Sequence, residues 1–159
     1  MARYIVDSQI DNHEKYYFIR EQESQDIVLL PSKYLMHKKR SKLSPNTIRR
    51  SAGAISYYLN YIDETGIQLD DVWEMPYDKQ QEHFTDYLIW LQAGLHSGDS
   101  YKKKPYNETC NAYLKEVFRF YRFSGQQDES TKQLKVLSDM RIIVHNSVGV
   151  KRTLYRNTF

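Results

Sequence analysis

The sequence has little cysteine, proline or glycine, and it has no long apolar run. Its 159 residues include one cysteine, four prolines and six glycines. Because Cys110 has no second thiol to pair with, an internal disulfide and a zinc cluster built on thiolates are excluded. No run of 18 apolar residues occurs, and the first residues do not form a signal-peptide pattern. We therefore expect a cytoplasmic chain without a membrane partner.

The sequence also lacks the patterns typical of metal sites and of common catalytic sites. Its histidines do not pair at the spacing of metal ligands; they are His13, His37, His83, His96 and His145. No paired acids, nucleophilic triad or glycine-rich phosphate loop stands out. We therefore predict no metal, no cofactor and no catalytic activity for this chain.

Neither sign of charge dominates the composition, but the charges are unevenly distributed. The formal net charge is only +3. Residues 33–50 contain seven positive residues and no acid, whereas residues 63–99 contain nine acids and a single lysine. Residues 102–104 are all lysine. Such segregation is typical of a protein with one face that meets a polyanion, and solvated charged faces are the alternative reading.

The first 30 residues predict a short β-hairpin or an extended arm. Residues 3–6, 16–19 and 26–30 are runs rich in aromatic and β-branched residues, which favour strands. The polar residues 21–25 are expected to form the turn between the second run and the third.

Residues 31–125 predict an all-α domain of four to five helices. Ser32 is the expected N-cap of a short first helix that ends in a basic run. Ser44-Pro45 predicts the start of a second helix, which runs to about residue 65 and ends at Gly66. Apolar residues three or four positions apart predict its buried face: Ile48, Ala52, Ile55, Leu59 and Ile62.

Two further helices complete the predicted domain. Residues 70–77 are expected to form a loop before a helix over residues 78–93. After a second loop, a long helix is expected to begin at an Asn107 cap and to close at Gly125. The residues predicted to face inward on these two helices are Phe84, Tyr87, Leu88, Leu91, Cys110, Tyr113, Leu114, Val117 and Tyr121.

Polar and cationic residues are predicted on the outer faces of the second helix and the last one. Asn46 and Arg50 fall opposite the apolar face of the second helix, together with Gly53 and Tyr57. On the last helix, an outer stripe is spaced by 4, 4 and 3 residues: Asn111, Lys115, Arg119 and Arg122. Because neutralising phosphates requires cations on a rigid face, this stripe favours contact with DNA over a merely solvated surface.

Two segments resemble a known family when they are taken together. The first is Ser-Pro-Asn-Thr-Ile-Arg-Arg at residues 44–50, continued by Ser-Tyr-Tyr-Leu-Asn-Tyr-Ile at 56–62. The second is Asn-Glu-Thr-Cys-Asn-Ala-Tyr-Leu at residues 107–114, continued by Val-Phe-Arg-Phe-Tyr-Arg-Phe at 117–123. In this order and separation they resemble the N-terminal core-binding (SAM-like) domain of tyrosine recombinases of the phage-integrase type, and transposon-encoded members look closest.

The resemblance implies an orthogonal bundle that closes over one side of duplex DNA, while a catalytic domain closes over the other. It places the first turn of the second helix and the outer stripe of the last helix on phosphates or base edges. With the neighbouring basic segments, the candidate DNA-binding residues are Lys39, Arg40, Lys42, Asn46, Thr47, Arg49, Arg50, Lys103, Lys104, Asn111, Lys115, Arg119 and Arg122. The implied partners are double-stranded DNA, the catalytic domain of the same parent protein and other recombinase protomers, in a bacterial cytoplasm.

Residues 126–159 do not read as a complete second domain. They predict a short helix at residues 131–137 and then a linker toward an absent catalytic domain. The expected function is therefore that of a DNA-binding part of a recombinase, for site-specific recombination and integration, which clamps duplex DNA without cleaving it. The alternative is a helical protein-interaction module whose basic face binds an acidic protein or another recombinase protomer.

Overall fold

The chain folds into a mainly helical structure with one short antiparallel hairpin. The computed structural model describes residues 3–97, 105–127 and 131–137. Two strands come first, β1 (Tyr4–Asp11) and β2 (Glu14–Glu21). Within these residues five α-helices follow: α1 (Leu29–Arg40), α2 (Pro45–Thr65), α3 (Asp71–Glu74), α4 (Tyr77–Gln92) and α5 (Asn107–Gln126). A short 3-10 helix, Leu95–Ser97, lies between α4 and α5. In the part of the chain just defined, no helix combines the length and the apolar character needed to cross a bilayer.

The expected hairpin is present, but it forms from the first two predicted strands only. Asn12 and His13 turn the chain with φ of 50° and 66°, the left-handed values that a tight two-residue hairpin requires. The prediction of a third strand at residues 26–30 is wrong. Ile27 makes a single bridge to Arg20, and α1 begins two residues later.

The start of α1 also differs from the expectation. Ser32 lies inside the helix and is not its N-cap. Its hydroxyl accepts a hydrogen bond from the Ile19 amide at 3.2 Å, so the residue joins β2 to α1. Since Ile19 is fully buried, the tertiary contact of Ser32 takes the place of a local cap.

Helix α2 follows the sequence prediction closely. The Ser44 hydroxyl accepts a hydrogen bond from the Thr47 amide at 3.2 Å, and Pro45 occupies the first helical position. Gly66 ends the helix with a φ of 74°. The whole predicted apolar face of this helix is buried.

The ends of α5 correct two expectations. Asn107 lies in the first turn and Tyr106 takes the N-cap position, without a side-chain cap. Gly125 lies within the helix and does not terminate it. A Cβ at Gly125 would clash with the Lys132 carbonyl oxygen, so glycine is needed there because residues 131–137 fold back against the helix.

Residues 131–137 are packed against the bundle, with helical geometry only at 135–137. Leu134 and Val136 are buried. The Lys135 ammonium donates to the carbonyl oxygens of Trp73 and Met75, at 3.0 and 2.6 Å. The expected loop over residues 70–77, to which these carbonyls belong, contains the single turn α3.

The core is rich in aromatic rings, and its polar atoms are joined in a chain. The Tyr121 hydroxyl donates to the Leu69 carbonyl at 3.1 Å, so it accepts from Tyr58 at 2.7 Å. The Tyr58 hydroxyl then accepts from His83 Nε2, 2.8 Å away. In this assignment His83 donates through Nε2, and burial, which lowers its pKa to about 4, favours the neutral ring.

Candidate nucleic-acid interface

The first two turns of α2 present exposed polar and cationic side chains. Asn46, Arg49 and Arg50 are all exposed, and the first turn of the helix contains no acid. A helix N-terminus carries partial positive charge, which adds to that of the arginines. Among the described residues, neither Arg49 nor Arg50 forms an ion pair. This end of α2 is therefore a surface that favours anions.

Arg50 lies between two depressions. On one side is a cleft of ≈ 710 Å³ between α2 and the hairpin, which Asn46, Arg49 and Arg50 all line. On the other side is a groove of ≈ 580 Å³ between α2 and α5, lined by Thr47 and Arg50 from α2 and by Arg119 from α5. The fold thus brings together residues predicted from both resembling segments, although nearly 70 positions separate Arg50 from Arg119 in sequence.

The acid Glu116 lies in the wall of that groove, and the sequence prediction placed it only partly to the side of the cationic stripe. It is only 6% exposed. Its carboxylate accepts from the Tyr34 hydroxyl at 2.6 Å and lies 2.9 Å from Lys38 and 3.0 Å from Arg119. Burial alone would raise the pKa of Glu116, but hydrogen bonds from Tyr34, Lys38 and Ser51 outweigh it and hold the pKa below its ordinary value.

Glu116 therefore changes the interpretation of the cationic stripe on α5. Arg119 remains 59% exposed, but its guanidinium is bonded to a buried carboxylate. Asn111 is half-buried, and its Oδ1 is shielded from solvent with no hydrogen-bond partner among the described residues. Lys115 is exposed on the outer surface, and Arg122 lines a depression of ≈ 350 Å³ between α5 and the end of α1. The predicted stripe is thus divided among different environments.

The residues of the basic segment at the end of α1 also differ in their surroundings. Lys39 lies 3.8 Å from Glu14 of the hairpin, and its ammonium lies 5.3 Å from the centre of the Tyr16 ring. Arg40 and Lys42 are exposed. The two remaining candidates, Lys103 and Lys104, lie outside the described residues.

Within residues 3–97, 105–127 and 131–137, no three histidine, cysteine or acidic side chains cluster in a way that could hold a metal ion. Comparisons with protein-family models, with curated proteins and with solved structures find no match to this chain. The geometry of the chain itself is therefore the basis for a functional proposal.

Two features of this surface were missed at the level of sequence. The hairpin contributes Lys15 and Tyr17 to the lining of the cleft, and these residues lie at least 29 positions before the α2 residues that line it. The burial of Glu116 was also missed, although its spacing of three residues from Arg119 is a local signal for an ion pair. Only the packing of α1 against α5 shows that Lys38 and Tyr34 complete that cluster.

Proposed function

We propose that this chain is a DNA-binding part of a tyrosine recombinase, and that its helices form the SAM-like core-binding bundle of that family. Its role is to hold duplex DNA during site-specific recombination and integration, without cleaving it. The observation that carries the proposal is the groove between α2 and α5, where Thr47 and Arg50 lie across from Arg119. These residues come from the two segments that resemble the family, and they reach the same groove from different helices.

The chemistry of the surface supports a phosphate backbone as the ligand. Arginines suit bidentate binding of phosphate oxygens, and Asn46 and Thr47 add groups that bind phosphates or base edges. An exposed arginine pair at the N-terminal end of a helix combines side-chain charge with the helix dipole. Such contacts give mostly sequence-independent affinity, so we expect modest sequence preference for this chain alone. In the proposed recombinase, a catalytic domain and other protomers on the same DNA would increase the affinity.

The test is the affinity of the chain for a mixed-sequence DNA duplex at several salt concentrations. Fluorescence anisotropy of a labelled duplex measures it. We expect log affinity to fall linearly with log salt, with a slope of about −0.9 for each phosphate neutralised. The absence of binding at low salt would overturn the proposal.

A competition arm separates DNA from an acidic protein as the ligand. An unlabelled duplex of unrelated sequence should displace the labelled duplex at comparable concentrations, because phosphate contacts do not depend on sequence. If an acidic polypeptide such as polyglutamate displaces the duplex as effectively at matched charge, the surface is a general polyanion site, and the protein-interaction reading is favoured.

A further inference from the structure

The hairpin is the element of this chain to which the proposed function assigns no role. Its strands pair from Tyr4↔Glu21 to Asp11↔Glu14. Because side chains alternate between the two faces of a strand, Val6 and Ile19 share a face with Ser8, Tyr17 and Lys15. Ile19 is fully buried, and Val6 and Tyr17 pack against the core, so this is the face that meets the bundle.

The character of that face changes along the hairpin. Near the open end it is apolar and packs on the core, whereas near the tip it carries Ser8 and Lys15. The tip is not packed, since Ile10, the partner of Lys15 in the ladder, is 71% exposed. The hairpin therefore overhangs the first turns of α2, and the space between them is the cleft described above.

Three cations from two separate elements converge on this cleft. Lys15 comes from β2, and Arg49 and Arg50 come from α2. Lys15, like the two arginines, makes no ion pair with any residue that the structure describes. The one acid in the lining, Asp7, is paired with Arg20 at 2.8 Å, and this contact lowers the pKa of Asp7. The cleft thus has a surplus of positive charge that no acid among the described residues neutralises.

Each tyrosine in the lining of the cleft already has a contact within the protein. The Lys15 ammonium lies 5.5 Å from the centre of the Tyr17 ring. The Tyr57 ring packs edge-on against Tyr113, with centroids 5.4 Å apart, and against His96 at 4.7 Å. A ring held edge-to-face in this way does not offer a free slot for a stacked base. The cleft therefore suits a phosphate group better than an unpaired nucleotide base.

We propose that the hairpin is the second wall of a phosphate-binding cleft, in which Lys15 and the arginines of α2 together hold a phosphate of the DNA backbone. This inference depends on the proposed function, because the phosphate belongs to the duplex bound beside α2. It makes the hairpin part of the DNA-binding surface, so that the duplex contacts two structurally separate elements on either side of Arg50.

The test is the substitution Lys15→Gln in the full chain, measured with the same labelled duplex. We expect the variant to bind about fivefold more weakly at low salt, with the salt slope reduced by about 0.9. The matched control is Lys79→Gln on α4, which removes the same charge from a side chain that is 64% exposed and pairs with Glu82. The thermal midpoint of unfolding should be unchanged in both variants, because neither lysine is buried.

A double-mutant cycle of Lys15→Gln with Arg50→Ala tests whether both residues bind the same phosphate. If they do, the two losses will not add, since residues that share a partner are coupled. If Lys15→Gln behaves like Lys79→Gln while Arg50→Ala weakens binding, the hairpin inference fails and the proposed function stands. If the wild-type chain does not bind the duplex, the proposed function fails first.

A third experiment uses inorganic phosphate as the ligand. Chemical-shift titration with millimolar phosphate reports on the amides of Lys15 and Arg50. Loss of phosphate binding in Lys15→Gln without loss of duplex affinity would show that the cleft is a site for small anions, and would overturn the assignment to DNA. Weakened binding of both ligands is the result that we expect.

Discussion

Two buried titratable groups, Glu116 and His83, have hydrogen-bond partners within the protein, whereas the arginines in the first turns of α2 have no ionic partner among the described residues. In the interior, the Glu116 carboxylate is surrounded by donors, and His83 is linked through the Tyr58 hydroxyl to that of Tyr121. On the surface, Arg49 and Arg50 are exposed and form no ion pair with another described residue.

This difference separates residues that determine the fold from residues available to a ligand. A buried charge is stable only when partners replace its lost hydration, so removing one partner reduces stability. An exposed cation without a partner contributes little to stability and keeps its charge for an incoming anion. Substitutions inside should therefore change the free energy of unfolding, and substitutions at the N-terminal end of α2 should change DNA affinity.

The largest effect is expected for Glu116→Gln. The amide keeps the size of the side chain but leaves the Lys38 ammonium, whose side chain is 12% exposed, without its counter-charge. We expect the free energy of unfolding to fall by about 3–5 kcal/mol, measured by urea denaturation. The control is Glu82→Gln, which breaks an exposed pair with Lys79 and should cost less than about 0.5 kcal/mol. Equal losses of stability in the two variants would show that the buried cluster around Glu116 matters no more to the fold than an exposed ion pair.

Acid should destabilise the fold through His83. Burial lowers its pKa from 6.5 to about 4, so the neutral ring is the form that fits the core. The stability that this gives is complete above pH 6.5 and is lost as the pH falls from 6.5 toward 4, by about 3 kcal/mol.

Urea denaturation at pH 7.0, 6.0 and 5.0 measures the part of this loss that occurs above pH 5. His83→Gln should flatten the curve because glutamine does not titrate, while its amide can still donate to Tyr58. Burial also lowers the pKa of His96, so the comparison with His83→Gln isolates the contribution of His83. Hydrogen bonds from Tyr34, Lys38 and Ser51 lower the pKa of Glu116, away from this pH interval. A curve that His83→Gln leaves unchanged would show that another group causes the loss of stability in acid.

A moderate effect on binding, without an effect on stability, is expected for Arg50→Ala. Arg50 lines both the cleft beside the hairpin and the groove toward α5. We expect duplex affinity to fall about tenfold and the salt slope to become shallower by about 0.9, with the thermal midpoint unchanged. The control is Lys79→Ala on α4. A shift in the thermal midpoint with no change in affinity would place Arg50 among the residues that determine the fold.

The sequence predicts features that local chemistry determines, and it fails where a distant contact takes over. Helix α2 begins after Ser44 and ends at Gly66 as expected, because capping and the left-handed C-cap depend on neighbouring residues only. Ser32 failed as a cap because its hydroxyl bonds to β2, and Gly125 failed as a helix end because its role is to admit the Lys132 carbonyl. The helical wheel placed Arg119 on the outer face of α5, but the wheel could not show the buried acid beside it.

The smallest effect is expected for Arg119→Ala, and it tests the comparison most directly. Arg119 has the same charge as Arg50 and lines the same groove, but its guanidinium lies 3.0 Å from Glu116. To bind a phosphate, Arg119 would have to share its contacts with that carboxylate or break them. The cost of weakening this ion pair offsets part of the free energy gained from the phosphate contact. After the substitution Lys38 still lies 2.9 Å from the carboxylate, which limits its repulsion of the DNA.

We therefore expect Arg119→Ala to weaken duplex binding only about threefold, against about tenfold for Arg50→Ala in the same anisotropy assay. The ratio between the two variants is the informative quantity, because both remove one positive charge from one groove. A loss of affinity as large as that of Arg50→Ala would show that the ion pair with Glu116 does not reduce the contribution of Arg119 to DNA binding. The pairing of a surface cation with a buried acid would then be no guide to its availability for a ligand in this protein.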